Sequence, residues 1–272
     1  MMIRREHQLA GGRTLSWLET GSGPTLVLLH GWSLSGAAFS ELARFLDGWR
    51  LLLPDLPGHG QSSPPVDATL PSLADNIAAW LAVVAPGPVL FGGWSLGGMI
   101  AMELAAKAEM PIDRLLLVAT TPRFTSNPDW PHGLPATQVH VLRRNLERRF
   151  EATLGEFFAL TFAEGEADAD RLRAIRAFAV RPGGLPDRPA AAAFLKLLAE
   201  QDQRPLPAKI GCPALVLHGT LDRITPVAAG RALAAALPQG QFYELAGAGH
   251  APFWTRPLEV AQAIREFCLW DR

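Results

Sequence analysis

The sequence predicts an α/β fold, a mostly parallel sheet flanked by helices, and three observations carry that prediction. Short apolar runs recur along the chain: "TLVLLH" (25–30), "RLLLPD" (50–55), "PVLFGGW" (88–94), "RLLLVAT" (114–120), "ALVLHG" (214–219) and "QFYELAG" (241–247). Most are continuous rather than alternating, the pattern of strands buried on both faces. Helical patterns separate them at 36–47, 69–84, 96–108, 226–237 and 257–269. Repeated strand–helix units build a parallel sheet with right-handed crossovers.

Taken in order, the chain opens with "HQLAGGRTLSWLE", a hairpin in which Gly11 and Gly12 supply the positive φ angles of a tight turn. The strand–helix rhythm follows and breaks once. From 122 to 208 no buried strand is evident, and helical patterns with proline-rich joints take over ("TTPRFTSNPDWPHGLP", "EQDQRPLPAK"). The rhythm resumes at "CPALVLHG", so residues 1–121 and 209–272 read as one core and 122–208 as an inserted helical cap. Such an insertion at a strand end covers the C-terminal edge of the sheet, where open α/β sheets place their ligands.

Bulk properties narrow the function classes. Of 272 residues, 49% are apolar and 19% charged, and the formal net charge is -1. That balance is globular, and it offers no global field for nucleic acid or anionic membrane. The opening "MMIRREHQLAGG" has no apolar stretch behind its basic residues, so no secretory signal is expected. No run reaches the roughly 18 apolar residues of a membrane span. Cys212 and Cys268 make neither a disulfide framework nor a metal cluster. The expectation is a cytoplasmic enzyme-sized domain.

The heptapeptide "GGWSLGG" (92–98) sets one serine among four glycines, directly after an apolar run. It fits G-x-S-x-G between a strand and a helix. In that sharp turn Ser95 is strained and projects its hydroxyl above the sheet, while Gly93 and Gly97 lie too close to neighbouring backbone for a Cβ. The helix after Ser95 aims free N–H groups at developing negative charge. A serine hydroxyl needs a base, and the base needs an orienting carboxylate. His250 in "GAGHAPFW" and Asp222 in "HGTLDRITP" both follow strand ends, and the order Ser95, Asp222, His250 suits this architecture. Asp129 and Asp55 also follow strands. Asp55, in "DLPGHGQS", reads better as part of a structural turn, and Asp222 is favoured over Asp129. His30 reads as structural.

An oxyanion needs donors. After "LLHG" the N–H of Trp32 can point into the site beside the N–H of Leu96, and losing one such donor typically costs about 3–4 kcal/mol. Serine at the elbow argues against dehalogenation through a carboxylate nucleophile, and a serine mechanism needs no metal or organic cofactor.

Together "LLHGW", "DLPGHGQS", "GWSLGG", "HGTLD" and "GHAPF" resemble the α/β-hydrolase superfamily along the whole chain. Within it the sequence is similar to the pimeloyl-[acyl-carrier protein] methyl ester esterases of biotin synthesis. Trp32 directly after His30-Gly31, "GWSLGG", "AGHAPF", "DWP" (129–131) and "FFALT" (157–161) carry that likeness. The resemblance implies hydrolysis of a methyl ester on a seven-carbon acyl chain held by acyl-carrier protein. It also implies that Trp32, Leu96 and the 157–161 segment, with Phe157, Phe158, Leu160 and Thr161, line the acyl site. The residues permit an apolar slot independently: Trp32, Trp94, Phe157, Phe158, Leu160, Phe253 and Trp254 could form it, or could be ordinary packing. The basic block "RRNLERR", with Arg143, Arg144, Arg148 and Arg149, could dock an acidic carrier; a solvated helix face is the simpler reading. A general carboxylesterase and a hydrolase-fold binding protein without turnover are the alternatives.

Overall fold

The computed structural model describes residues 1–179 and 184–269. Positions 180–183, within the segment expected to be a cap, and 270–272, within the expected core, therefore lie outside the described residues. Among the described residues there are eight strands: β1 (Ile3–Leu9), β2 (Arg13–Thr20), β3 (Thr25–Leu29), β4 (Arg50–Pro54), β5 (Val89–Trp94), β6 (Ile112–Val118), β7 (Ala214–Gly219) and β8 (Gly240–Leu245). They form one sheet in the order β1-β2-β4-β3-β5-β6-β7-β8. β1 and β2 are an antiparallel hairpin and β2 pairs antiparallel with β4; every later pairing is parallel. The hairpin turn uses Gly11 at φ 75° and Gly12 at φ 73°.

The strand runs are continuous because both faces are covered. Along β3, Val27 and Leu29 face one apolar cluster and Leu26 and Leu28 the other, the two-residue period of a pleat. Helices α1 (Ser40–Ala43), α2 (Leu70–Val84) and α3 (Leu96–Lys107) belong to the first half of the chain. On α2 the buried positions Leu70, Leu73, Ala74, Ile77, Trp80 and Leu81 fall at three- and four-residue spacing, and Thr69 caps its start by accepting from the Ser72 N–H. The expected helix over 36–47 is broken instead. A 3-10 turn covers Gly36–Phe39, α1 lasts four residues, and the N–H groups of Arg44, Phe45 and Leu46 bond three residues back. Gly36 causes the tight packing, since a Cβ there would meet Leu53 O at 2.1 Å.

Between β6 and β7 lie α4 (Ala136–Arg148), α5 (Phe150–Ala159), α6 (Ala169–Ala179) and α7 (Arg188–Glu200). Among the described residues this interval holds no strand beyond two isolated bridges, Thr125 with Leu134 and Asn127 with Trp130. Helices α8 (Val227–Ala236), α9 (Pro252–Thr255) and α10 (Pro257–Leu269) complete the chain. α2, α3 and α8 pack on one face of the sheet, α1 and α10 on the other. The strand order reverses at β3, with β4 on one side and β5 on the other. That reversal opens a crevice at the strands' C-terminal edge. No described helix is long and apolar enough to cross a membrane.

Candidate active site

Ser95 lies between β5 and α3 with φ 55° and ψ -115°. The conformation is costly for a non-glycine residue and persists only where its surroundings fix it. Here the Ser95 N–H donates to Val118 O at 2.9 Å, and Ser95 O accepts from the Met99 N–H at 3.1 Å. The flanking glycines are steric requirements. A Cβ on Gly93 would lie 2.2 Å from the Gly97 carbonyl carbon, and one on Gly97 would lie 2.2 Å from Leu29 O. Ser33 (φ 66°) and Ala119 (φ 47°) are also strained, and both follow strand ends in the same region. Three of the four positive-φ non-glycine residues described thus lie along one edge of the sheet, the fourth, Ala108, being the left-handed cap that ends α3.

His250 and Asp222 meet there, with Nδ1 2.7 Å from Oδ2. Asp222 is enclosed by donors: the N–H groups of Ile224 (2.8 Å) and Thr225 (2.9 Å) bond to Oδ1. The Thr225 hydroxyl lies 2.9 Å from Oδ2, and His218 Nε2 stands 3.2 Å from it. Burial alone would raise the Asp222 pKa. The His250 charge and hydrogen bonds from His218 and His250 outweigh it and hold the carboxyl well below its usual range. His218 Nε2 also donates to Thr225 O at 2.6 Å. The ring hydrogen bonds of His250 to Asp222 and Thr225 both use Nδ1. Its contact with the elbow runs through Trp94, whose Nε1 donates to His250 O at 2.8 Å and whose ring lies 5.4 Å from the imidazole.

The loop after β3 is set by two buried imidazoles. His30 Nε2 accepts the Leu56 N–H (2.9 Å) and Nδ1 donates to Gly31 O (2.8 Å). His59 Nε2 accepts the Ser33 N–H (3.3 Å) and Nδ1 donates to Pro57 O (3.1 Å). Burial pushes the His30 pKa down to about 4; burial and the neighbouring His30 push His59 down to about 3. Both rings are therefore neutral acceptors at neutral pH. Trp32 on this loop reaches α7, its indole N–H donating to Ala191 O at 2.9 Å. Among the described residues no turn, loop or cap hydrogen bond uses the Trp32 or Leu96 backbone N–H, and Leu96 opens α3, where the first N–H groups have no partner within the helix.

The apolar residues divide. Trp32, Trp94, Phe157, Phe158 and Thr161 line one small cavity of about 20 Å³ beside the elbow, room for a single water. Phe157 packs edge-on to Trp32 with ring centres 4.9 Å apart. Leu160 stands outside it, 44% exposed, in a cleft of about 280 Å³ between α4 and α5 that shares Phe157. Trp254 packs against Trp94 and Phe158 and borders a separate cleft with Glu41 and Arg171. Phe253 is buried between Phe39 and Trp94 as core packing. Arg143, Arg144, Arg148 and Arg149 are all exposed, and Arg149 pairs with Glu156 at 3.1 Å. Of the other acids, Asp129 is exposed with its carbonyl bound by Arg204. Asp55 is a structural hub for Arg4, Gly36 and Gln61.

Sequence reasoning missed Thr225 and His218 around Asp222, and His59 under the Trp32 loop. His59 and His218 stand inside quoted motifs, "DLPGHGQS" and "HGTLD": His59 takes the Ser33 N–H from the loop after β3, while His218 meets Asp222 and Thr225 of its own loop, contacts that no strand or helix period announces. No group of three or more metal-ligating side chains occurs among the described residues.

Comparison with known proteins gives the arrangement its family. A family model described as alpha/beta hydrolase fold matches residues 24–257. The pimeloyl-[acyl-carrier protein] methyl ester esterase of Chromobacterium violaceum is 40% identical over 251 residues, covering 90% of this chain and 94% of that protein. Its counterpart in Stenotrophomonas maltophilia is 38% identical, covering 91% and 94%. Among solved structures, a thermophilic esterase from Thermogutta terrifontis superimposes with a TM-score of 0.82 at 28% identity, covering 99% of this chain and 98% of that one. The chain belongs to the α/β-hydrolase fold family and, within it, to the pimeloyl-[acyl-carrier protein] methyl ester esterases, a family of carboxylic ester hydrolases.

Proposed function

We propose that this protein hydrolyses the methyl ester of a pimeloyl chain carried on acyl-carrier protein, through an acyl-enzyme on Ser95. The observation that carries the reading is the 2.7 Å His250–Asp222 pair placed on the same sheet edge as a serine held at φ 55°. Ser95 Oγ attacks the ester carbonyl as His250 Nε2 takes its proton. Asp222 fixes the tautomer with Nε2 free and stabilises the imidazolium. The N–H groups of Trp32 and Leu96 hold the oxyanion. Collapse breaks the bond to the methoxy oxygen, which leaves as methanol with the proton from His250. Water, deprotonated by His250, then cleaves the acyl-enzyme, releasing the carboxylate and restoring Ser95.

On this reading residues 122–208 act as the cap over a core of 1–121 and 209–272. Trp32, Phe157, Phe158 and Thr161 touch the acyl chain near the ester, with Leu160 further out. The exposed arginines Arg143, Arg144, Arg148 and Arg149 meet the acidic carrier. The enzyme works in the cytoplasm, where carrier-borne chains are built.

The test compares kcat/KM for methyl pimeloyl on acyl-carrier protein and on pantetheine alone, with Ser95→Ala beside both. A gain of about tenfold or more from the carrier, about 1.4 kcal/mol, is expected. Equal values, or a preference for short p-nitrophenyl esters, make it a general carboxylesterase. Turnover by Ser95→Ala sinks the nucleophile assignment.

A further inference from the structure

Glu166 belongs to the acidic block "EGEADAD" (164–170), which looks like solvated surface, yet its carboxylate joins two parts of the molecule. Oε2 accepts the N–H of Ala163 at 2.7 Å and the N–H of Gly249 at 2.9 Å. Oε1 accepts the Thr255 hydroxyl at 2.6 Å. Gly249 immediately precedes His250, and Thr255 ends α9, which starts two residues after it. One carboxylate from the segment between β6 and β7 thus grips the chain on both sides of His250. Two neighbouring bonds reinforce the seam: His250 N–H to Thr161 O at 2.7 Å, and Arg171 to Trp254 O at 2.8 Å. The approach is close enough that a Cβ on Gly249 would lie 2.5 Å from Thr161 O and 2.8 Å from Glu166 Oε2.

We propose that Glu166 is a positioning residue for His250. The inference rests on His250 being the base of the reaction proposed above. The loop bearing His250 runs "AGAGHAP" and has Gly247 at φ 75°, so it carries little stiffness of its own. The ring is anchored at Nδ1 by Asp222 and Thr225, while its backbone is anchored by the other segment. Hydrogen bonds to a charged acceptor are stronger than neutral ones, and two of the three Glu166 donors flank the histidine. Displacing a base by about 1 Å costs on the order of 100-fold in rate.

The experiment uses Glu166→Ala and Glu166→Gln in the full chain, with three readouts. These are kcat against KM on the methyl ester, thermal midpoint, and the downfield proton resonance of His250 Nδ1–H shared with Asp222, assigned by its loss in His250→Gln. The amide in Glu166→Gln keeps an oxygen for the two N–H groups and turns its NH2 toward Thr255. We expect Glu166→Ala to lower kcat about 10- to 100-fold with KM little changed, and to shift or broaden the resonance. Glu166→Gln should recover most of both. Wild-type kcat and an unmoved resonance in folded Glu166→Ala overturn the proposal, as does a Glu166→Gln variant no better than alanine. If Glu166→Ala does not fold, Thr255→Val removes a single donor and is read the same way: a lower kcat with a shifted resonance supports the proposal, and no change in either overturns it. A resonance that shifts in Glu166→Ala while the wild-type protein turns over no ester supports the positioning role and removes the reaction reading instead.

Discussion

Asp222 shows how much a single side chain can be asked to do. Its two oxygens receive backbone N–H groups, a hydroxyl and imidazole nitrogens from both His250 and His218. This dense solvation keeps a fully buried carboxylate ionised, and an ionised Asp222 fixes the His250 proton on Nδ1. Asp222→Asn retains an oxygen for the Ile224 and Thr225 N–H groups, so the loop should stay folded. The amide would donate to Nδ1 and turn the tautomer over. We expect kcat to fall about 10⁴-fold with an unchanged thermal midpoint; a loss under tenfold would mean that Asp222 does not set the tautomer. The carboxylate itself was legible from "HGTLD" and its place after a strand. Its surroundings were not, because His250 is 28 residues away and Thr225 reads as an ordinary loop threonine.

At the scale of elements, the loops after β3 and β4 lock together through His30 and His59. Both imidazoles are held neutral in the folded protein, at about 4 and about 3, against 6.5 for the free side chain. Below 6.5 the unfolded chain binds protons that the folded one refuses, so stability present above 6.5 is lost as pH falls toward the folded values. Each pH unit across that window costs about 1.4 kcal/mol per histidine. Urea midpoints at pH 7 and pH 5 should differ accordingly, and the difference should shrink in His59→Asn. A flat profile between these pH values would show that the rings do not stay neutral. Strand and helix identities were readable here from periodicity. The 36–47 segment was not, because its helical pattern yields to the close approach of Gly36 to β4.

For the molecule as a whole, charge placement matters more than net charge. The chain is near neutral, with a formal net charge of -1, but α4 presents Arg144 and Arg148 one turn apart on its exposed side, with Arg143 bordering a cleft against α7. If these steer an acidic carrier, kcat/KM for the carrier-borne ester should fall with rising ionic strength, while that for the pantetheine ester stays level. The double reversal Arg144→Glu/Arg148→Glu should lower the first by about tenfold, a cost of about 1.4 kcal/mol, and leave the second alone. Equal losses on both substrates would assign these arginines to the fold. The 20 Å³ cavity at the elbow is far smaller than a seven-carbon chain, so on the proposed reading Phe157 or Phe158 has to move aside to admit the acyl chain.

What the sequence determined by itself was whatever short-range chemistry demands. Continuous apolar runs require strands covered on both faces, and "GGWSLGG" requires a strained turn with a serine at its tip. Asp222 and His250 follow strands whose parallel order brings their ends to one edge. What the tertiary structure decided was everything that depends on distant partners. It put Leu160 and Trp254 outside the cavity that holds Trp32 and Phe157, and it turned Glu166 from apparent surface charge into a bond across the His250 loop. The reason is physical: a residue's period and neighbours fix its local conformation, but its role in a site depends on which groups arrive within about 3 Å. Here those groups come from loops tens of residues apart, brought together only when the sheet closes.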